Sequence, residues 1–168
     1  LQSLGQASAV FGPYICENLA TRLEGLAGSL TRTGAVVLDV GVGVGSLAAA
    51  FAKSLPGARI VGLDVWETSL ELARANIAQA GLRDRIELRK QDICDLDDRD
   101  TYDLVWFSGP FIPGDLQPLA LERCARAMKP GAWLVYGAFG GHDPLSSALA
   151  DLRTLRSGGP VLSDEELI

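Results

Sequence analysis

The sequence predicts an α/β fold: a mostly parallel sheet covered by helices on both faces, in three layers. Three observations predict it. Short apolar, β-branched runs alternate with helical segments from residue 36 onward. Most of these runs are continuously apolar, as strands buried on both faces should be. The links between them are short, which suits repeated β–α units.

The opening residues predict a helical lead-in, from Pro13 at a first turn to about Leu30. Val36-Val37-Leu38-Asp39-Val40 is a buried strand ended by glycines. Ser46 to Leu55 follows as an alanine-rich helix stopped by Pro56-Gly57. Arg59 to Asp64 reads as a second strand. Leu70, Ala73, Ile77 and Ala80 then recur at helical spacing between Glu67 and Ala80, and Gly81 caps that helix. Arg85 to Arg89 gives a third strand, with Ile86 and Leu88 alternating with charges, before a polar, turn-like run from Asp95 to Asp100. Tyr102 to Phe107 predicts a fourth strand and Gly114 to Met128 a helix ended by Lys129-Pro130-Gly131. Ala132 to Tyr136 is a fifth strand and Asp143 to Arg156 another helix. Ser163-Asp164-Glu165-Glu166 is a capping signature for one more.

A length of 168 residues suits one domain, and 48% hydrophobic with 21% charged residues is enough apolar material for a real core. No apolar run reaches the roughly 18 residues that a membrane-spanning helix needs. The N-terminus lacks the basic start and apolar block of a signal peptide, so a cytoplasmic location is expected. The net charge is −6, and no basic run is longer than Arg89-Lys90, which disfavours a nucleic-acid partner. Cys16, Cys94 and Cys124 are far apart and show no CxxC spacing. Reduced thiols are expected, with neither a metal site nor a disulfide framework.

Open α/β sheets bind ligands at the carboxyl ends of their strands. The first such end reads Asp39-Val40-Gly41-Val42-Gly43-Val44-Gly45, and glycines at alternate positions let the backbone turn sharply and approach a ligand. A glycine string alone is weak; between a buried strand and a helix it carries more weight. Asp64 ends the second strand, where a carboxylate can accept both hydroxyls of an adenosine ribose. Asp92 follows the third strand, where it could accept from an adenine amino group while Val65 and Ile93 sandwich the ring. For Asp92 taken alone, a solvated loop acid competes fairly.

These segments carry a family resemblance. VLDVGVGVGSLAAAFA resembles the signature glycine loop of class I S-adenosylmethionine-dependent methyltransferases. IVGLDVWETSLELARANIAQAGL resembles their ribose-binding segment and IELRKQDICDL their adenine-binding one. YDLVWFSGPFI and MKPGAWLVYG are similar to their fourth strand and the entry to their fifth. The resemblance covers roughly residues 35 to 138 in the right order. It implies a Rossmann-like methyltransferase fold and S-adenosyl-L-methionine as cofactor. It places Gly41, Gly43 and Gly45 along the methionine and ribose side, and Asp39 as the residue that orders the loop or contacts the amino group. Asp64 takes the ribose hydroxyls, Asp92 the adenine amine, and Ser108 lies beside the methyl-transfer point. Val65, Trp66 and Ile93 are adenine-pocket candidates, although helix-start packing explains Trp66 equally well. Residues 1–34 are expected to cover cofactor or substrate, and residues 35–168 to form the binding core. The family's final antiparallel strand pair has no counterpart here, so the chain is expected to be incomplete at its C-terminus. Its start at Leu1 without Met points the same way.

Methyl transfer from a sulfonium needs alignment more than acid–base help, and a base only for a poorly acidic acceptor. The acceptor pocket is expected between the lead-in helix, the tip of the fourth strand and the loop after the fifth. His142, the only histidine, falls in that last loop and is the candidate base, with a surface-loop histidine the favoured plainer reading. Phe11, Tyr14, Phe111 and Phe139 are candidate pocket walls that core packing would explain equally well. Ser108-Gly109-Pro110-Phe111 departs from the Asn/Asp-Pro-Pro-aromatic element of family members that methylate amino groups of bases or glutamine. That departure leaves a small-molecule acceptor, methylated on O, N or C. The nearest alternative is an NAD(P)-dependent oxidoreductase, but its G-x-G-x-x-G/A fingerprint meets Ser46 at the third slot. A non-catalytic binding module on the same fold is a second alternative, and aminopropyl transfer a weaker third. The residues leave the oligomeric state open, a homodimer included.

Overall fold

The computed structural model describes residues 9–23, 25–141 and 143–163. Helix α1 covers residues 11–22, with a π-helical turn (Ile15–Leu19) between Phe11–Tyr14 and Ala20–Arg22, and α2 is Leu26–Thr31. Alternating elements follow: β1 (Val36–Val40), α3 (Ser46–Ser54), β2 (Arg59–Asp64), α4 (Glu67–Gln79) and β3 (Ile86–Lys90). After a 3-10 turn (Ile93–Asp95) come β4 (Tyr102–Ser108), a second 3-10 turn (Gly109–Phe111), α5 (Gln117–Ala127), β5 (Met128–Gly137) and α6 (Pro144–Ser157).

The five strands form one parallel sheet in the order β3-β2-β1-β4-β5. The chain winds outward from β1 to β3, then crosses back to lay β4 against the free edge of β1. With crossovers of one hand, that reversal puts α3 and α4 on one face and α5 on the other. It also parts the loops that leave β1 and β4, and the crevice between them is where such sheets bind ligands.

Strand residues point alternately to the two faces, and each face has its own core. Val37, Ile60, Ile86 and Leu104 pack with Leu47, Phe51, Leu70 and Ile77 of α3 and α4, and with Ile15, Leu26 and Leu30 of the lead-in. Leu38, Val61, Val105 and Phe107 pack with Ala120, Cys124 and Ala127 of α5. Full burial of one such aliphatic or aromatic side chain contributes roughly 1.5–3 kcal/mol. The lead-in reaches the sheet because Gly12 lies flat on α3, where a Cβ would stand 2.8 Å from the Ala50 Cβ.

Most predicted elements agree with the observed ones within two residues, and two differ for identifiable reasons. Strand β5 begins at Met128, four residues early, because Met128 pairs with Tyr102 before a register shift resumes the ladder at Leu104 and Trp133. The turn-like Lys129-Pro130-Gly131 follows the helix end at Ala127 as expected, and it also occupies that bulge. Lys129 then reaches the buried Asp103 carboxylate at 2.7 Å, and Asp103 also pairs with Arg32 and accepts from the Val36 amide at 2.8 Å. Helix α5 starts at Gln117, not Gly114, because the residues before it form a turn closed on the Pro113 carbonyl. Of the final capping signature, residues 164–166 lie outside the described residues.

Candidate active site

Gly41 (φ +75°) and Gly43 (φ +55°) hold backbone conformations that side chains rarely adopt. The amides of Gly41 and Val42 both donate to the Leu63 carbonyl, at 2.9 and 2.8 Å. The turn is thereby pinned over the end of β2. Val42 comes down on Gly62, where a Cβ would stand 2.6 Å from Val42 Cγ2. Gly45 (φ +78°) has a packing role. A Cβ there would lie 3.2 Å from Ala73 and Ile77, so it lets α4 pack against the start of α3, and it does not line the cavity below.

A cavity of about 580 Å³ opens at the carboxyl ends of β1, β2 and β4, within the usual size for a small-ligand site. Asp39, Gly41, Gly43, Asp64, Val65, Trp66, Asp92, Ile93 and Ser108 all line it.

Asp64 stands at the tip of β2, and two backbone amides orient its carboxylate. Gly43 N donates to Oδ2 at 2.9 Å and Trp66 N to Oδ1 at 2.8 Å. Each oxygen keeps a further lone pair for a ligand hydroxyl. Asp92 is held similarly: its Oδ1 accepts from Cys94 N at 2.9 Å and caps the first 3-10 turn.

Asp39 is different. It is 1% exposed, and its Oδ2 has no hydrogen-bond partner. Burial, and then the nearby Asp64 charge, push its carboxyl up to about 7, against the pull of the Ala48 backbone N–H.

Ile93 is buried in the second core layer and forms part of the cavity floor, whereas Val65 and Trp66 are exposed at the rim. At 72% exposure, Trp66 is not packed at a helix start, and that reading is set aside. Ser108, at the tip of β4, accepts from Trp106 Nε1 at 2.9 Å. Its Cβ lies 3.5 Å from where a Gly41 Cβ would be, so the tip of β4 touches the glycine turn.

Beyond Ser108 the walls turn apolar: Trp106, Phe111, Ile112, Pro113 and Leu116, with Ser157 from the end of α6. The second 3-10 turn is held from behind by Gln117. Its Nε2 donates to the carbonyls of Gly109 (2.9 Å) and Ile112 (3.1 Å), while its Oε1 accepts from the Tyr136 hydroxyl at 3.0 Å. Tyr136 fills the space over Gly109, where a Cβ would stand 2.1 Å from its ring. Among the described lining residues there is no lysine or arginine, against three carboxyl groups.

Of the aromatic candidates, Phe111 reaches the cavity. Phe11 packs against the lining Trp106 at 5.3 Å, and Phe139 packs edge-on against Phe111 at 5.8 Å. Tyr14, Phe11 and Phe139 do not line it, and neither does any other described residue of the lead-in or of the loop after β5. The expected pocket walls there are replaced by the segment Phe111–Leu116. His142 lies outside the described residues.

Sequence reasoning missed Gly62, Gln117 and Tyr136. Gly62 carried a usable signal, since a glycine inside a strand marks close approach of another backbone or side chain. Gln117 carried another: it shares the helical face of Ala120, Cys124 and Ala127, so it is a polar residue on a core stripe. Tyr136 carried none, because an aromatic in a strand is ordinary.

Comparison with known proteins agrees with this geometry. The profile of a family described as "Methyltransferase domain" matches residues 37–131, more than half of the chain. The chain is similar to the release factor glutamine methyltransferase of Rhodopirellula baltica, with 31% identity over 133 residues, covering 78% of this chain and 44% of that protein. It is also similar to the tRNA1(Val) (adenine(37)-N6)-methyltransferase of Bacteroides thetaiotaomicron, with 36% identity over 81 residues, 48% of this chain and 34% of that one. The chain thus spans less than half the length of these curated relatives. Among solved structures, a candidate S-adenosyl-L-methionine-dependent methyltransferase from Methanococcus maripaludis superposes with a TM-score of 0.67 at 26% identity, over 92% of this chain and 69% of that one.

Proposed function

The chain belongs to the class I S-adenosylmethionine-dependent methyltransferases, and on that footing we propose that it methylates a small, largely apolar acceptor bound at the tip of β4. The observation that carries the reading is the polarity of the cavity. The end below β1, β2 and β3 holds three carboxyl groups with no described cation among them, and the β4 end is apolar apart from two serines.

The acidic end fits a positively charged adenosyl ligand. The pyrophosphate of a nicotinamide dinucleotide would face like charge there, which weighs against the oxidoreductase alternative. The Gly43 amide, which could have faced a phosphate, is already donated to Asp64. In this reading Asp64 holds the ribose hydroxyls, Asp92 the adenine amine with Val65, Trp66 and Ile93 against the ring, and Asp39 lies nearest the amino-acid end. The bare Oδ2 of Asp39 is the atom that asks for a donor.

The cofactor supplies, when bound, an electrophilic methyl carbon on a positively charged sulfur. What the protein adds is alignment. Ser108 and Gly41 meet where the two ends of the cavity join, and Phe111, Ile112 and Leu116 give the acceptor side an apolar wall.

The β4 tip also supports a small acceptor over an amino group on a macromolecule. Ser108 offers a single hydroxyl, already accepting from the Trp106 N–H, where the base- and glutamine-methylating members of the family carry Asn or Asp. A cytoplasmic location belongs to the same reading, supported by three free cysteines. A macromolecular acceptor is the second reading, favoured by the names of the release factor and tRNA relatives.

Labelled methyl from S-adenosyl-L-methionine, followed in a cell extract split into protein, RNA and small-molecule fractions, separates the two. The proposal expects label in the small-molecule fraction, lost with Gly41→Arg. Label confined to protein or RNA would overturn the acceptor class. A wild-type chain that does not bind S-adenosylhomocysteine would overturn the cofactor assignment.

A further inference from the structure

Two pieces of chain wall the acceptor end of the cavity, and they are held very differently. The turn after β4 is fixed from behind by Gln117 and Tyr136. Against it stand Ser157, which ends α6 and lines the cavity, and residues 158–160. Gly158 (φ +90°) turns the chain toward Pro110 in a conformation that side chains rarely adopt. Gly159 then lies flat on Pro110, where a Cβ would stand 2.6 Å from the carbonyl oxygen, and Pro160 packs over Gly114. Among the described residues no hydrogen bond joins residues 157–160 to that turn. The Gly158 and Gly159 amides donate back into α6, to the carbonyls of Leu155 and Thr154. Helix α6 is itself lightly anchored: it buries only Ala150 and Thr154 of its 14 residues, whereas the 11 residues of α5 include four buried ones. Residues 138–141, which lead into it, belong to no helix or strand. An element with so few buried contacts opens at low free energy.

We propose that α6 and residues 158–160 form a gate that opens to admit the methyl acceptor, while the adenosyl ligand enters separately at the exposed rim of Val65 and Trp66. This rests on the small-acceptor reading above. The gate is hinged at residues 138–141 and parts at the contact of Gly159 with Pro110. Closed, it sets Ser157 in the cavity wall. The turn it closes on stays in place, because Gln117 and Tyr136 hold that side with three hydrogen bonds.

The test locks the gate shut. A Cβ at position 114 would stand 3.3 Å from the Pro160 Cβ, close to the roughly 3.5–4.5 Å that a disulfide spans. The chain carrying Gly114→Cys together with Pro160→Cys is oxidised with diamide, and mass spectrometry confirms the bond. Each single variant is treated in the same way, as a control for Cys16, Cys94 and Cys124. Methyl transfer is followed from labelled S-adenosyl-L-methionine into the small-molecule fraction of a cell extract. Oxidation of the double variant is expected to slow transfer about tenfold or more, and dithiothreitol to restore it. The Kd for S-adenosylhomocysteine should stay within about threefold throughout. In the wild type, the amides of α6 should exchange hydrogen about tenfold or more faster than those of α5. Unchanged transfer by the locked chain, or loss of S-adenosylhomocysteine binding with it, overturns the gate and leaves the methyltransferase assignment standing. Equal protection of α6 and α5 overturns it too, as does a folded double variant that keeps both new thiols after oxidation. Wild-type label confined to protein or RNA overturns the small-acceptor reading, and the gate falls with it.

Discussion

At the scale of single residues, Asp39 carries a stability cost, as a carboxyl group buried with one oxygen unpartnered. Its carboxyl stands near 7 in the folded chain against 3.8 as the unperturbed value. Between those two values the folded state binds the extra proton, so the contribution of Asp39 to stability is fully present below about pH 4, falls as pH rises from there, and is lost above about 7. Replacing it with a group that cannot ionise removes that penalty. Asp39→Asn is therefore expected to be more stable than the wild type at pH 8, by on the order of 2–4 kcal/mol, with the gap closing at pH 4. Thermal melts at the two pH values check this, and a variant that melts lower at pH 8 would mean the carboxylate is well satisfied after all.

Asp64, unlike Asp39, has both carboxylate oxygens partnered, each by a backbone amide. Asp64→Ala strands both amides and, in the proposed site, takes away the acceptor of the ribose hydroxyls. Roughly 1–3 kcal/mol of ligand affinity should be lost, read as a rise of about 5- to 150-fold in the Kd for S-adenosylhomocysteine. An unchanged Kd would remove Asp64 from the site.

At the scale of elements, the protein relies on buried polar ties where elements end. Gln117 on α5 joins the turn after β4 to Tyr136 on β5 through three hydrogen bonds. Gln117→Leu has a similar size but leaves two carbonyls and a phenol without that partner, at an expected cost of about 2–3 kcal/mol in urea unfolding. The cofactor end is separate from this tie, so S-adenosylhomocysteine affinity should change less than threefold. A large loss of affinity would show that the β4 tip and the glycine turn move together.

Asp103 ties the opposite end of the sheet, joining the entry to β1, β4 and the bulge of β5. Both of its cations still reach solvent, so Asp103→Ala should cost about 2–3 kcal/mol in the urea midpoint, below the loss expected for a wholly buried pair. A change under about 0.5 kcal/mol would mean the pair contributes nothing net.

At the scale of the whole molecule, the reversal of strand order decides where chemistry can happen. It sets β1 between β2 and β4 and brings the ends of three strands, distant in sequence, around one crevice. A ligand there touches the loops after β1, β2, β3 and β4, so its binding couples to global stability. At one hundred times its Kd, S-adenosylhomocysteine should add about 2.7 kcal/mol and raise the Tm accordingly. A nicotinamide dinucleotide should add nothing. Stabilisation by the dinucleotide alone would reverse the choice between the two cofactor classes. No helix among the described residues is long and apolar enough to cross a membrane.

The chain's local pattern determined the element order, the parallel sheet, the glycine turn after β1 and the acids at positions 39, 64 and 92. Each is set by short-range chemistry: β-branched runs, helical periodicity, backbone freedom at Gly41 and a carboxylate at a strand end. Only the tertiary structure decided that Gly45 serves helix packing, that Val42 sits on Gly62, and that Gln117 and Tyr136 lock the β4 tip. It alone separated Asp39 from Asp64 and Asp92 as the acid without a partner. The reason is physical: periodicity and propensity are carried by neighbours in sequence. Burial, steric fit and the pairing of a carboxylate depend on groups that the fold brings together from far along the chain.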